Sequence, residues 1–338
     1  MKIAIFSTKP HDRDSLGIAL SLKHELSFFQ PRLDSATALL AEGFDAVCVF
    51  VGDHLDEACL KKLAFQNIRF VVLRCAGFNN IDIPVAERLG IQVARVPAYA
   101  PHAIAEHAVA LILAVNRKTH HAYNRIREGN FSLTGLMGFG LKGKTIGVVG
   151  TGSIGKIFAR IMLGFGCHVV AHDPFPDQSL IDDGVTYLSL DELLPRSFVI
   201  SLHCPLTSET EHLISTQELD LMPDGAVLVN TGRGALIDTP AVINSLKSGR
   251  LGALGIDVYE EEDALFFEDH SGEIPRDDVF ARLLTFPNVL VTGHQGFFTK
   301  GAIDEIARIT ASNLDQFECD GTCENQVRLA KKPPKSHG

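Results

Sequence analysis

At 338 residues with 46% hydrophobic side chains, the chain can bury a core large enough for two domains. Its formal net charge of −10 and its lack of lysine or arginine runs argue against a nucleic-acid surface, which needs a basic face toward phosphate, and point to a small-molecule partner. The longest strongly apolar stretch, Ala108 to Val115, falls far short of the roughly 20 residues that cross a bilayer, so no membrane span is expected.

The chain opens at once on Met1-Lys2-Ile3-Ala4-Ile5-Phe6, which reads as a strand. No charged leader, long apolar segment or small-residue cleavage site precedes it, and a cytoplasmic protein is expected. Short apolar runs then alternate with helix-period segments, the pattern of an α/β fold in which helices cover both faces of parallel sheets. In the first hundred residues the strands are placed at Lys2–Phe6, Ala46–Val51, Arg69–Leu73 and Ile91–Ala94. From about Pro101 to Lys118, the residues Ile104, Ala108, Leu111, Ile112 and Val115 recur at helical intervals and predict one long helix crossing between domains. A second series starts at Lys144, with strands near Thr145–Val149, Val169–Ala171, Phe198–Leu202, Val227–Asn230, Ala253–Ile256 and Val289–Thr292. Six such strands complete a dinucleotide-binding sheet. One more helix is predicted from Gly301 to about Phe317, and the lysine- and proline-rich Ala330 to Gly338 is expected to fray.

Seven cysteines, at 48, 59, 75, 167, 204, 319 and 323, are an odd number without a disulfide framework, and reduced thiols are expected. Cys319 and Cys323 are the one close pair and lack further ligands nearby, so no metal is assigned.

The strand at Thr145–Val149 runs directly into Gly150-x-Gly152-x-x-Gly155. The first glycine permits a tight turn, the second lets the backbone approach a pyrophosphate, and the third lets the helix pack close to the sheet. Ile154, Ile157, Phe158, Ile161 and Phe165 mark the apolar face of that helix, whose free N–H groups near Ser153 would meet the phosphates. Asp173 stands eighteen residues past Gly155, at the end of the second strand, where a carboxylate accepts hydrogen bonds from ribose hydroxyls and repels a 2′-phosphate. A glycine turn alone is as often an ordinary loop; with the strand, the spacing and Asp173 it indicates NAD.

Ligands of open parallel sheets lie beyond the carboxyl ends of the strands. Asn230-Thr231-Gly232-Arg233-Gly234, Asp257 and Gly293-His294-Gln295 follow three successive strands of the second series. Arg233 is flanked by glycines and offers a fork that fits a carboxylate. Glu262 comes twenty-nine residues later and His294 another thirty-two. Singly, an arginine is more often paired with a structural acid, a histidine more often a hydrogen-bonded loop residue, and the run Glu260-Glu261-Glu262-Asp263 largely a solvated loop. Together the three fill complementary roles in reducing a 2-oxo acid: Arg233 anchors the carboxylate, His294 protonates the carbonyl oxygen, and Glu262 keeps that proton donor charged. Reduction is then expected to favour lower pH and oxidation higher pH.

With these residues in view, the chain resembles the D-isomer-specific 2-hydroxyacid dehydrogenase family, and within it the fermentative D-lactate branch. The likeness is carried by Arg74-Cys75-Ala76-Gly77-Phe78-Asn79-Asn80-Ile81-Asp82, Tyr99 to His107, the glycine turn with Asp173, and His203-Cys204-Pro205-Leu206-Thr207. Asn230 to Gly234, Gly255 to Glu262, Thr292 to Gln295 and the run Leu265-Phe266-Phe267-Glu268-Asp269 extend it. The resemblance implies two Rossmann-like domains with parallel sheets, separated by a cleft that closes over the ligands. Residues 1–100 and 299–338 would form a discontinuous substrate domain and residues 101–298 the NAD-binding domain, which includes the long helix. It further implies that Gly150, Gly152, Ser153, Ile154, Gly155, Asp173, His203, Cys204, Pro205, Thr231, Gly232 and Asp257 bind NAD. Ala76 and Gly77 would offer N–H groups to the substrate carboxylate, with Tyr99 and Phe297 around its methyl group.

Gln295-Gly296-Phe297-Phe298 after His294 lies where relatives vary, which leaves substrate breadth open. Glutamate at 262 disfavours the formate dehydrogenase branch, and the chain lacks the appended regulatory domain of the longer phosphoglycerate dehydrogenases. The alternatives are a glyoxylate, hydroxypyruvate or branched 2-oxo-acid reductase with the same trio, and an NADH-sensing protein like the co-repressors that share the fold. A homodimer or higher homo-oligomer through the coenzyme domain is implied, with the helix near 104–118 as its surface.

Overall fold

The computed structural model describes residues 1–262, 265–267, 269–274 and 276–328; the expectation for Ala330 to Gly338 falls outside them. The chain divides into two compact units, Met1–Ala100 together with the chain from Phe298, and Pro101–Phe297.

In the first unit, β1 (Lys2–Ile5), β2 (Glu25–Phe28), β3 (Ala46–Val49), β4 (Phe70–Leu73) and β5 (Gln92–Ala94) form a parallel sheet in the order β2-β1-β3-β4-β5. The central strand β3 reads Ala-Val-Cys-Val and is buried along its whole length, as a strand covered on both faces must be. One face packs on Leu33, Leu60, Leu63 and Ile68, the other on Leu16, Leu20, Leu314 and Phe317. Four of the five strands are those expected; β2 is an addition. The predicted C-terminal helix spans Lys300–Asp320, capped by Thr299 Oγ1 on the Ala302 amide and ended by Gly321 at φ +67°.

The second unit holds β6 (Thr145–Val149), β7 (His168–His172), β8 (Thr186–Tyr187), β9 (Val199–Leu202), β10 (Ala226–Asn230), β11 (Leu251–Ile256) and β12 (Val289–Val291). They lie in the order β12-β11-β10-β9-β6-β7-β8, all parallel. The sheet has seven strands where six were expected, the addition being the two-residue edge strand β8. The predicted long helix is Pro101–Arg117 and lies wholly in this unit, which corrects its reading as a crossing between domains. Ala105, Ala108, Leu111, Ile112 and Val115 bury its apolar face, and Gly255 on β11 lets it approach so closely that a Cβ there would stand 3.2 Å from Leu111. No helix among the described residues is long and apolar enough to cross a membrane.

Arg74, at the end of β4, is 2% exposed. Its Nε donates to Asp12 Oδ1 at 3.1 Å, its Nη2 to the Ser7 carbonyl at 2.8 Å, and its guanidinium lies 4.9 Å over the Phe50 ring. Asp53, 1% exposed, accepts from Ser7 Oγ and from the amides of Leu33 and Phe50. Burial pushes the Asp53 carboxyl up, against the pull of the Arg74 charge and these hydrogen bonds. Removing one member of a buried ion pair strands the other, at a cost of about 3–5 kcal/mol. Arg74→Met is therefore expected to lower the stability read by urea unfolding by that amount; a loss under about 1 kcal/mol would show that the pair does not hold the first unit together.

Candidate active site

The direction of winding in the second unit reverses between β6 and β9, and the loops leaving these two strands meet. Gly150 leaves β6 at φ +92°, and a Cβ on it would stand 2.5 Å from the Cys204 amide nitrogen. Gly155 lies against the Gly150 carbonyl, where a Cβ would come within 1.9 Å. The helix Ser153–Gly164 therefore starts hard against the strand, with Ser153, Ile154 and Gly155 in its first turn and their N–H groups at the loop. A Cβ on Gly152 would meet nothing within 4 Å, so the backbone faces open space where a phosphate needs it.

Asp173 follows β7, and its two oxygens accept from the Thr151 amide at 2.7 Å and the Phe175 amide at 2.8 Å. The Tyr187 hydroxyl, on β8, donates to Thr151 Oγ1 at 2.9 Å. Thr151 and Tyr187 were not anticipated as parts of this site; the first lay inside the glycine turn, the second on a strand too short to read. The His203 amide donates to the Val149 carbonyl, and its ring packs on Phe158 with Nε2 2.9 Å from Ser201 Oγ. Burial pushes this imidazole down to about 3 and the neighbouring Cys204 thiol up to about 11. The Pro205 carbonyl accepts from Thr210 Oγ1 at 2.6 Å. A Cβ on Gly232 would stand 3.5 Å from the Cys204 carbonyl oxygen, so the loop after β10 closes on the same place. Thr231 Oγ1 there is buried without a hydrogen-bond partner among the described residues. A carboxylate at the β7 end, free helix N–H groups and an orphaned hydroxyl suit a dinucleotide.

Asn230, buried at the end of β10, shapes the next loop: its Nδ2 donates to the Arg233 carbonyl and its Oδ1 accepts from the Gly232 amide. Arg233 Nη1 donates only to the adjoining Gly232 carbonyl, at 2.7 Å, and no carboxylate pairs with it among the described residues. Gly234 packs on the backbone of Tyr259 and Glu260, where a Cβ would come within 2.0 Å. That close approach sets the Arg233 loop against the segment leading to Glu262. Glu262 Oε2 accepts from the Tyr259 amide at 2.9 Å, and its Oε1 lies 2.8 Å from His294 Nδ1. The acidic run thus divides: Glu260 is taken up by His212 and the Thr239 amide, Glu261 is exposed, Glu262 turns to the histidine, and Asp263 falls outside the described residues.

His294 adopts φ +52°, a conformation that costs a non-glycine residue energy and persists only where its surroundings hold it. The holder is Asp257, 2% exposed. Its carbonyl accepts from the His294 amide at 2.7 Å, its Oδ1 from Thr292 Oγ1 at 2.5 Å and the Gln295 amide at 2.9 Å, and its Oδ2 from the Gly296 amide at 2.8 Å. Because Thr292 gives its one hydroxyl proton to Asp257, His107 Nε2, 3.0 Å from Thr292 Oγ1 and 3.3 Å from Asp257 Oδ1, must donate, sharing its one N–H between the two oxygens. Burial pushes the Asp257 carboxyl up, but the hydrogen bonds from His107, Thr292, Gly296 and Gln295 outweigh this and hold it below the usual carboxylate value. His107 and Thr292 were missed as members of this network, as was Phe267, whose ring lies 5.8 Å from that of His294. Phe297 is buried in the same unit. Ala76 and Gly77 follow β4 in the first unit, where Tyr99 is half-buried.

His203 gives a stability test independent of function. Above pH 6.5 it is neutral in folded and unfolded chains alike; between 6.5 and about 3 the unfolded chain takes up a proton that the folded chain refuses. Its share of stability is full above 6.5 and falls as pH drops through that window. Between pH 8 and pH 5, wild type should lose about 2 kcal/mol more than His203→Gln in denaturant unfolding. Equal losses would contradict a neutral buried ring.

Residues 109–296 match the family model described as the NAD binding domain of D-isomer specific 2-hydroxyacid dehydrogenase. The 2-hydroxyacid dehydrogenase A of Aspergillus oryzae is 54% identical over 97% of this chain and 95% of its own length. The D-lactate dehydrogenase of Escherichia coli K12 is 47% identical over 97% of this chain and the whole of its own. The solved apo-structure of D-lactate dehydrogenase from Escherichia coli superposes with a TM-score of 0.89, covering 97% of this chain and all of that one at 45% identity. With its glycine turn, its carboxylate at the end of β7 and two all-parallel sheets, the chain belongs to the D-isomer-specific 2-hydroxyacid dehydrogenases, a family of NAD-dependent oxidoreductases.

Proposed function

We propose that this enzyme reduces pyruvate to D-lactate, with His294 as the acid and base of the reaction. The observation that carries the proposal is the 2.8 Å pair between His294 Nδ1 and Glu262, which leaves Nε2 without a partner among the described residues. Glu262 fixes the tautomer and pairs with the imidazolium. Arg233, with no carboxylate paired to it among the described residues, clamps that of the substrate in a bidentate fork. NADH, when bound, supplies a hydride. His294 Nε2 gives its proton to the carbonyl oxygen as C2 is reduced, and in the oxidative direction the neutral ring takes the hydroxyl proton back. In the same reading, Met1–Ala100 with the chain from Phe298 is the substrate domain, Ala76 and Gly77 offer their amides to the carboxylate, and Tyr99 and Phe297 enclose the methyl group. Asp257 holds the His294 loop, and its Oδ2, which takes one donor from that loop, can still accept from the nicotinamide half as expected. A cytoplasmic setting is part of the same proposal, since seven scattered cysteines, an odd number, suit a reducing compartment.

We also propose self-association through the coenzyme domain, its surface running from the helix near 104–118 into the segment that follows it. The helix Pro101–Arg117 turns its apolar face into its own unit, whereas Tyr123, Ile126, Phe131, Leu133 and Met137 just beyond it are exposed. A second copy covering them would remove apolar surface from water.

The substrate assignment is tested by NADH oxidation at slightly acidic pH with pyruvate, glyoxylate, hydroxypyruvate and 4-methyl-2-oxopentanoate, followed by chiral analysis of the product. Pyruvate should give the highest kcat/KM and yield D-lactate; preference for another acid, or NADH binding without turnover, would overturn it. His294→Gln should lower kcat by on the order of 10²–10⁴-fold with NADH binding kept, and Glu262→Gln should narrow the acidic limb of the pH–rate profile for reduction. An unchanged profile would remove Glu262 from its role.

A further inference from the structure

The peptide joining Ala76 to Gly77 carries the Gly77 N–H proposed above to receive the substrate carboxylate. Its outer face is occupied: Arg95 Nη1 donates to the Ala76 carbonyl at 2.7 Å. In a trans peptide the carbonyl and the following N–H point in opposite directions within one plane. A cation on the Ala76 oxygen therefore pulls electron density away from the Gly77 nitrogen and makes its N–H a stronger donor on the opposite side.

Arg95 is held for this contact from several directions. It follows β5, and its amide donates to the Asn325 carbonyl at 3.2 Å while its own carbonyl accepts from Asn313 Nδ2 at 3.0 Å. Asn313 is fully buried on the C-terminal helix, and its Oδ1 accepts from Asn325 Nδ2 at 2.9 Å. The guanidinium lies 5.1 Å from the centroid of the Phe78 ring, on the loop that carries Gly77. No carboxylate is paired with Arg95 among the described residues, so its charge is not cancelled locally. The Cys75 thiol donates to the Gly77 carbonyl at 3.3 Å, fixing the next peptide of the same loop.

We infer that Arg95 is a positioning residue for substrate recognition: it orients and polarises the Ala76–Gly77 peptide so that the Gly77 amide binds the carboxylate of a 2-oxo acid. This rests on the reading that Ala76 and Gly77 receive that carboxylate. Arg95 acts through the peptide and touches none of the reacting atoms, so its removal weakens ground-state and transition-state binding alike and falls on KM, leaving kcat in place.

The test compares wild type, Arg95→Gln and Arg95→Lys. In Arg95→Gln, the KM for pyruvate and the inhibition constant of oxamate, a carboxylate analogue of pyruvate, should rise together by about tenfold, with kcat at saturating pyruvate and the NADH dissociation constant within about twofold of wild type. Arg95→Lys keeps the charge and should recover most of the loss. Unchanged pyruvate KM and oxamate binding in Arg95→Gln would overturn the inference. So would a combined loss of kcat, NADH affinity and thermal stability that lysine does not rescue, because that is the signature of a structural residue. If Arg95→Gln does not fold, Arg95→Lys decides: wild-type constants support the inference, and a tenfold rise in KM in a folded protein overturns it. A wild-type enzyme that turns over no 2-oxo acid would instead remove the reading on which this one rests.

Discussion

A carboxylate buried at the end of β11 needs hydrogen-bond donors, and Asp257 takes them from the loop that follows β12: the Thr292 hydroxyl and the amides of Gln295 and Gly296, with the His294 amide bonded to its carbonyl. An uncompensated charge at that depth would be costly, so the loop has little freedom to leave. The left-handed backbone at His294 persists because these bonds over-determine it. The ring then points where Glu262 can receive its Nδ1, and Glu262 is held in turn by the Tyr259 amide. His107, reaching Thr292 from the helix Pro101–Arg117, ties the loop to the element that packs across β11. One buried anion thus connects the sheet, its covering helix and the histidine.

Three arginines show how surroundings decide what a guanidinium does. Arg74 is sealed beneath the first sheet's rim with Asp12 and serves the fold. Arg233, among the described residues, meets only the carbonyl of its neighbour, on a loop pressed against Tyr259 and Glu260 by a glycine, and pairs with no described carboxylate. Arg95 faces a carbonyl of the loop after β4 and acts on whatever that loop binds. The residue type is the same in each case; the partner sets the role.

Much of the architecture was legible in the sequence. Buried parallel strands such as Ala-Val-Cys-Val at 46–49 are continuous apolar runs, and the helix after Gly155 shows its period. The strands that escaped are edges. Glu25–Phe28 is half polar because it pairs on one side only, and Thr186–Tyr187 is two residues long, so neither carries a periodic signal. The pairing of Glu262 with His294 was anticipated because arginine, glutamate and histidine share one chemical task. The Asp257 network was not, because its members are joined across long sequence separations, and a histidine such as His107 inside an amphipathic helix looks like any other helical residue. The long helix was placed correctly in sequence; its periodicity alone read as a crossing between domains, whereas the family resemblance put it in the second unit, where the side chains it buries lie.

The measurement that bears most directly on this account is the kinetics of Asp257→Asn, with NADH binding measured by fluorescence on the same preparation. If Asp257 holds the histidine loop, kcat at saturating NADH should fall by about 10²-fold, the scale of a displacement near 1 Å in a catalytic group, whatever the change in the NADH dissociation constant. Weakened NADH binding with kcat preserved would contradict it.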